Sequence, residues 1–129
     1  MDVGTRTTDV MTASLRDLAP VFDLGCSFGL GVATAANALA RDVQRRTGHL
    51  PPFDVAADAL RESQRWHGGS IGGPDDAAPH LDALAAAIRR EVQRVFGDAA
   101  QQGAALAPAG GGAVLLGERL RGLLPASSR

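Results

Sequence analysis

Residues 2–10 read DVGTRTTDV, and this stretch decides the fold. Gly4 suits a tight turn because it has no Cβ, and the branched side chains of threonine and valine fit the pleated surface of a strand. The pattern predicts a hairpin over residues 1–24 that turns near Arg16 and Asp17. Together with the helices predicted below, this strand pair indicates an α/β fold.

Helices are predicted to follow the hairpin. Residues 25–31 form a glycine-punctuated corner, and apolar residues at helical spacing predict a helix over residues 30–46. Gly48 is placed to end that helix. A strong amphipathic pattern predicts a second long helix over residues 77–99. Its apolar stripe consists of Leu81, Leu84, Ile88, Val92, Val95 and Phe96.

The segment between the two long helices is expected to be small and partly irregular. Asp54 is a good N-cap for a short helix ending near Trp66. The glycine-rich residues 67–74 are expected to form a loop without regular structure.

A second glycine-rich stretch lies near the end of the sequence. Residues 110–120 read GGGAVLLGERL. Residues 104–107 are short and apolar and predict a buried strand that leads into the glycines, while residues 113–124 predict a closing helix. Three glycines in a row let the backbone approach a ligand closely, and the start of a helix favours a phosphate.

The composition limits the classes of protein to which the chain can belong. The chain has 129 residues, a net charge of −1 and one cysteine. One domain is expected at this length, and the near-neutral charge argues against a nucleic-acid-binding or anionic-membrane-binding surface. Neither a signal peptide nor a membrane span is recognisable, so the pattern favours a cytoplasmic location.

The two glycine-containing stretches together resemble the actin, Hsp70 and sugar-kinase superfamily. Residues 2–10 resemble its second phosphate-binding loop and residues 110–120 its adenosine motif; the form DxGxRTTD is especially similar to actin-like proteins of the ParM/StbA plasmid-segregation type. The resemblance implies one lobe of the ribonuclease H-like fold, a mixed sheet flanked by helices. It assigns residues 1–125 to the second domain, residues 54–74 to a reduced outer subdomain, and residues 126–129 to a tail.

The resemblance also implies a nucleotide site for ATP or ADP with magnesium. Asp2 is expected to hold the magnesium ion through water, because Mg²⁺ prefers to keep its waters. The phosphate-binding residues it implies are Asp2, Gly4, Thr5, Arg6, Thr7 and Thr8. The adenosine-binding residues it implies are Gly110, Gly111, Gly112 and Ala113. A complete catalytic set is not expected in this sequence, because the superfamily places ATP between two lobes.

That two-lobed arrangement sets the remaining expectations. These residues alone are expected to bind nucleotide weakly and to hydrolyse none, and to form a homo-oligomer or to need a chain that supplies the first lobe. The implied biological role is in a filament-forming plasmid-segregation or cytoskeletal protein.

Two alternatives stay open at this point. Residues 21–29 read VFDLGCSFG and resemble the first motif of S-adenosylmethionine methyltransferases, which needs a strand, a glycine turn and a helix in that order. Trp66, His67 and Gly68 resemble the WXG turn of small helical-hairpin interaction modules from type VII secretion. The first alternative predicts a small methyltransferase-like domain, and the second predicts a non-catalytic module.

Overall fold

A small mixed sheet lies at the centre of the fold. The computed structural model describes residues 1–13, 20–101 and 107–121. Strands β1 (Asp2–Val3), β2 (Thr8–Ala13) and β3 (Pro20–Phe28) pair antiparallel in that order. Asp2 also forms a parallel bridge with Ala109, which makes the sheet mixed. The α/β fold and the early hairpin are confirmed.

Strand β3 is longer than the sequence predicted. It runs past residue 24 to Phe28, and Cys26 and Phe28 pair with Val10 and Thr8. The predicted glycine corner over residues 25–31 is therefore wrong for its first half, because residues 25–28 lie within β3. The turn predicted near Arg16 and Asp17 lies outside the described residues.

Two long helices follow the strands in the sequence and pack against each other. Helix α1 (Val32–Thr47) ends at Gly48, which is left-handed with φ 81°, and the Gly48 N–H donates to the Gln44 carbonyl at 2.8 Å. Both features confirm the sequence prediction. The second long helix has Pro74 as its first residue, a position where proline's missing N–H costs nothing.

The segment between these helices corrects the sequence prediction. Helix α2 (Phe53–Ala59) ends seven residues before Trp66, and Asp54 lies in its first turn while Pro52 occupies the N-cap position. A hairpin of β4 (Ser63–Trp66) and β5 (Gly69–Gly72) replaces the predicted loop. We call residues 53–72, which contain α2, β4 and β5, the outer module.

The hairpin forms because its two-residue turn has the geometry that twisted strands require. His67 has φ 46° and Gly68 has φ 79°, and positive φ at both positions is typical of a type I′ turn. Helix α3 (Pro74–Gln101) follows directly, so the helix predicted over residues 77–99 is confirmed with a slightly earlier start. Val95, which was predicted to belong to the apolar stripe, is 40% exposed.

The closing segment is two short helices instead of one. Helix α4 (Gly111–Leu116) is followed by a 3-10 helix, Gly117–Leu120, so the single helix predicted over residues 113–124 is wrong. Gly117 has φ 52°, which an α-helix does not accommodate. Most of the strand predicted over residues 104–107, and all of the predicted tail, lie outside the described residues.

The core lies between the sheet, α1, α3 and the outer module. Its fully buried large side chains are Leu39, Leu60, Leu84, Ile88, Leu116, Val3, Val43 and Val92. Most are aliphatic, as the scarcity of aromatic residues requires. No helix in the described part of the chain is long and apolar enough to cross a membrane.

Candidate nucleotide site

The two predicted loops meet at strand β1. The Val3 N–H donates to the Ala109 carbonyl at 3.0 Å, and the Ala109 N–H donates to the Met1 carbonyl at 2.7 Å. This pairing holds the backbone before Gly110 beside the backbone before Gly4. Stretches that lie more than one hundred residues apart in the sequence therefore form one seam.

Glycine is required where the loop at residues 110–112, the glycine loop, passes Val3. A Cβ on Gly112 would lie 2.6 Å from the Val3 carbonyl oxygen, a distance that real Cβ atoms do not adopt. Gly110 has φ 86°, and a Cβ there would collide with the Asp2 carboxylate. Gly111 has no such neighbour, so close approach explains two of the three glycines.

The turn at residues 4–7 is fixed to the start of α1. The Gly4 N–H donates to the Thr7 carbonyl at 2.9 Å and closes the turn. The Val32 and Ala33 N–H groups donate to the carbonyls of Gly4 and Thr5 at 3.0 and 2.6 Å. We call residues 4–7 the nucleotide turn. Two of its carbonyls accept hydrogen bonds from N–H groups that the first turn of a helix otherwise leaves unpaired.

The predicted phosphate-binding side chains separate into two groups. Asp2, Thr5, Arg6 and Thr7 are exposed at the surface, where a ligand can reach them. Thr8 is fully buried, and its hydroxyl donates to the Leu30 carbonyl at 2.7 Å. The Thr8 side chain therefore faces the protein interior, and its role in this structure is to hold β2 against the segment that enters α1.

One cleft contains residues from both motifs. It has a volume of about 190 Å³ and is bordered by Gly4 and Thr5 on one side and by Gly111 and Gly112 on the other. The remaining lining residues are Val3, Val32, Phe53, Ala57 and Arg61. The sequence analysis missed Phe53, Ala57 and Arg61, because they belong to the outer module and lie in neither motif.

A wider groove of about 540 Å³ adjoins this cleft at Arg61 and Gly111. Its other lining residues are Leu60, Pro74, Leu81, Val114, Leu115 and Arg119. Arg119 is held in place by Asp82, with 2.6 Å between Nε and Oδ1. The floor is mainly apolar and the rim carries cations, an arrangement that suits a flat aromatic base attached to an anionic chain.

The described residues contain no cluster of three or more metal-ligating side chains. Asp2 is exposed, lies on the rim of the seam beside Gly110, and pairs across the sheet with Asp9. A lone carboxylate fits a magnesium ion that keeps most of its waters, and it does not fit a site built from protein ligands alone.

The structure excludes the geometry that each alternative needs. A methyltransferase motif requires a glycine turn after residue 24 that leads directly into a helix, but residues 25–28 lie in strand β3, which continues to Phe28 beyond an irregularity in its register with β2. A helical hairpin requires Trp66 at the end of a helix, but Trp66 ends strand β4.

Comparison with known proteins identifies the family of the chain. Residues 1–122 match the family model of archaeal actin homologues, MreB-like, C-terminal. An archaeal actin homologue from Thermoplasma acidophilum is 37% identical over 125 residues, which cover 97% of this chain and 38% of the relative.

Solved structures show the same fold. The crystal structure of Ta0583, an archaeal actin homologue in complex with ADP, matches with a TM-score of 0.89 and 36% identity, covering 98% of this chain and 41% of that one. A ParM filament structure from Clostridium botulinum matches with a TM-score of 0.77 at 22% identity, over 98% of this chain and 38% of that one, and shows the shared fold alone. The chain thus spans about two fifths of the length of these proteins, and it belongs to the archaeal actin-homologue family of the actin-like ATPase superfamily, as its C-terminal domain.

Proposed function

We propose that this chain grips a purine nucleotide, ATP or ADP, as the second nucleotide-binding domain of an actin-like ATPase. The observation that carries the proposal is the shared cleft, in which the nucleotide turn faces the glycine loop. A relative at 36% identity that crystallised with ADP supports the same ligand class.

The phosphate chain is proposed to lie against the nucleotide turn. Backbone N–H groups and the Thr5 hydroxyl supply donors, and Arg6 supplies a positive charge. The Thr7 hydroxyl donates to Asp9 at 3.3 Å in this structure and would have to turn from that carboxylate to reach a phosphate. Thr8 is left out of this set because it is buried and already bonded to Leu30. Its proposed contribution is to keep the turn in place.

The nucleoside is proposed to lie against the glycine loop and Ala113. The open space beside Gly111, where an added Cβ would meet nothing within 4 Å, gives the sugar close access to the backbone, and the apolar groove beside Leu115 accommodates the base. Arg61 lines both cavities, so it borders the ligand where base and phosphate chain meet.

Asp2 is proposed to hold magnesium through a water molecule. Magnesium would neutralise phosphate charge when it is bound. The contribution of the chain is a single exposed carboxylate whose position is set by the pairing of β1 with Ala109.

Hydrolysis is proposed to need a first lobe, whether it is part of the same polypeptide or supplied by another chain. Positioning water and neutralising the transition state take groups from both sides of the phosphate chain. We accordingly propose a cytoplasmic filament-forming protein of plasmid segregation or the cytoskeleton, in which these residues alone turn over no ATP. Direct contact with nucleic acid is not part of the proposal.

Nucleotide binding is tested by titrating the 129-residue chain with Mg-ADP and recording amide resonances. We expect saturable shifts at residues 4–7 and 110–116, with weak affinity because half of the contacts are missing. Shifts confined to other residues, or submicromolar affinity, would contradict the proposed site.

The magnesium role has a matched control. Asp2→Asn should remove most of the gain in affinity that magnesium gives. Asp9→Asn makes the same charge change on the neighbouring strand and should keep that gain, since the amide oxygen can still accept the Thr7 hydroxyl. An equal loss of the magnesium-dependent affinity in both variants would mean that it depends on overall charge and not on the position of Asp2.

Association is tested by light scattering across protein concentrations. The face that carries the cleft is open in this domain, and open faces with apolar patches promote association. We expect oligomers, or a chain that becomes monodisperse only with a first-lobe partner. A stable monomer at high concentration would contradict this expectation.

A further inference from the structure

The polar side chains that line the groove beside the cleft donate hydrogen bonds and accept none. We call this groove, which has a volume of about 540 Å³, the base groove. Of its described lining residues, Arg61 and Arg119 alone have polar side chains. An arginine side chain carries several N–H donors and no acceptor. A ligand held by these side chains must therefore supply the acceptors.

Arg119 is held in place at two points. Its Nε donates to Asp82 Oδ1 at 2.6 Å, and Arg89 Nη2 donates to the main-chain carbonyl of Arg119 at 3.0 Å. Both partners lie on α3, so the 3-10 helix that carries Arg119 is attached to that long helix. Within the described part of the chain, the Nη atoms of Arg119 have no hydrogen-bond partner. A positioned guanidinium with free donors therefore borders the base groove.

Asp82 orients this guanidinium and does not itself border the groove. Its side chain is 65% exposed, and it is not among the residues that line the cavity. A carboxylate beside an arginine could offer a ligand one donor and one acceptor. Here the groove receives the donors of Arg119 alone.

The position of Arg119 corresponds to the far edge of a bound base. Arg61 and Gly111 line both the cleft and the base groove, whereas Arg119 lines the groove only. With the sugar at the glycine loop, a purine in the groove points its six-membered ring away from the cleft. The substituent at position 6 of that ring is an acceptor oxygen in guanine and a donor amino group in adenine. The two bases therefore differ at the atom that Arg119 can reach.

We propose that Arg119 makes the base groove select a 6-oxopurine, guanine or hypoxanthine, over adenine. Its Nη donors match the acceptors O6 and N7, whereas the amino group of adenine meets those donors with another donor. The proposal rests on the proposed nucleotide function and deepens it, because it names the base that the same site prefers. The preference should be about tenfold in affinity, within the range of one bidentate arginine contact.

The experiment titrates the 129-residue chain with GDP, inosine diphosphate (IDP) and ADP at constant magnesium, and records the amide resonances of residues 110–116. IDP is the decisive ligand, because it has the 6-oxo group of guanine but lacks its 2-amino group. We expect GDP and IDP to bind with similar affinity, each about tenfold more tightly than ADP. Equal affinities for IDP and ADP, or tighter binding of ADP, would overturn the proposal.

Two variants test the assignment to Arg119. Arg119→Met keeps an unbranched stem and removes the donors, so it should abolish the preference for IDP over ADP. Arg121→Met is the matched control, because the Arg121 side chain is 79% exposed just after the same 3-10 helix and does not line the groove. It should keep the preference. A preference that survives in Arg119→Met, or that is lost equally in both variants, contradicts the role of Arg119.

The outcomes separate this proposal from the proposed function. If ADP shifts residues 110–116 and the two 6-oxopurine nucleotides bind no more tightly, the nucleotide site stands and the base preference is wrong. If none of the three nucleotides shifts these residues, the proposed function is overturned together with the base preference.

Discussion

The seam between the nucleotide turn and the glycine loop differs from the outer module in how it is held together. At the seam, backbone lies against backbone, and Gly112 leaves no room for a side chain. Within the outer module Gly72 approaches Ala59 just as closely, but the module is attached to the rest of the domain by buried side chains, Leu60 among them, and by polar contacts of Asp76. The Asp76 carboxylate accepts the Gly72 N–H at 2.8 Å and pairs with Arg46 at 3.0 Å. Close backbone contact fixes the position of each residue at the seam. The buried leucine and the surface ion pair attach the outer module to the domain without fixing each of its residues.

Leu60→Ala should have the largest effect on stability. Leu60 is 2% exposed at the end of α2, and removing a buried leucine side chain costs about 2–5 kcal/mol. Urea denaturation measures the loss. Val114→Ala, at an 85% exposed position, should cost under about 0.5 kcal/mol. A small loss in Leu60→Ala would show that the outer module is not part of the cooperative core.

Gly112→Ala should have the next largest effect. Alanine is the better helix former, but its Cβ would press on Val3, and overpacking of this kind costs about 1–3 kcal/mol. Gly111→Ala is the control, because nothing lies within 4 Å of its added Cβ. The midpoint of urea unfolding should fall in the first variant and stay or rise in the second. The reverse order would contradict the close approach at the seam.

Thr8→Val should come third. Valine keeps the shape of threonine but leaves the partly buried Leu30 carbonyl without its donor, at a cost of about 1–2 kcal/mol. Thr5→Val, at an exposed position in the same loop, should be close to neutral. If the two variants lose equal stability in thermal unfolding, the Thr8 hydroxyl does not hold the turn.

Asp76→Asn should have the smallest effect, about 0.5–1 kcal/mol, since the ion pair with Arg46 is partly exposed. Burial raises the pKa of Asp76, but the hydrogen bonds from Gly72 and Arg46 outweigh it and hold the pKa below its ordinary value of 3.8. The contribution of the carboxylate is therefore present above that pH and is lost as the pH falls below it.

The pH dependence provides the check on that prediction. The stability difference between Asp76→Asn and the parent chain should shrink between pH 5 and pH 2 in urea unfolding. Asp75→Asn is the control, because Asp75 lies in the same first turn of α3 and is exposed. Both residues interact with the helix dipole, so the excess effect of Asp76→Asn isolates its contacts with Gly72 and Arg46.

The same contrast separates what the sequence predicted from what it did not. The seam was predictable, because a close backbone approach leaves glycine as the only suitable residue, and glycines are visible in sequence. The outer module was not, because a hairpin of four-residue strands carries too little periodicity to outweigh a helical reading of residues 54–66. Its one local signal was His67–Gly68, which suits a type I′ turn. Arg61 and Phe53 belong to that module, so the sequence analysis did not predict that they line the cleft.

Helix α1 connects the nucleotide turn with the outer module. Its first two N–H groups are bonded to the nucleotide turn, and Arg46, near its other end, is bonded to Asp76 at the base of the outer module. Sixteen residues at about 1.5 Å each span about 24 Å. Any movement of the turn that preserves these bonds must carry the helix with it. Helix α1 therefore contacts both parts of the chain that line the cleft: the nucleotide turn directly, and the outer module through Arg46 and Asp76, whose carboxylate also accepts the Gly72 N–H.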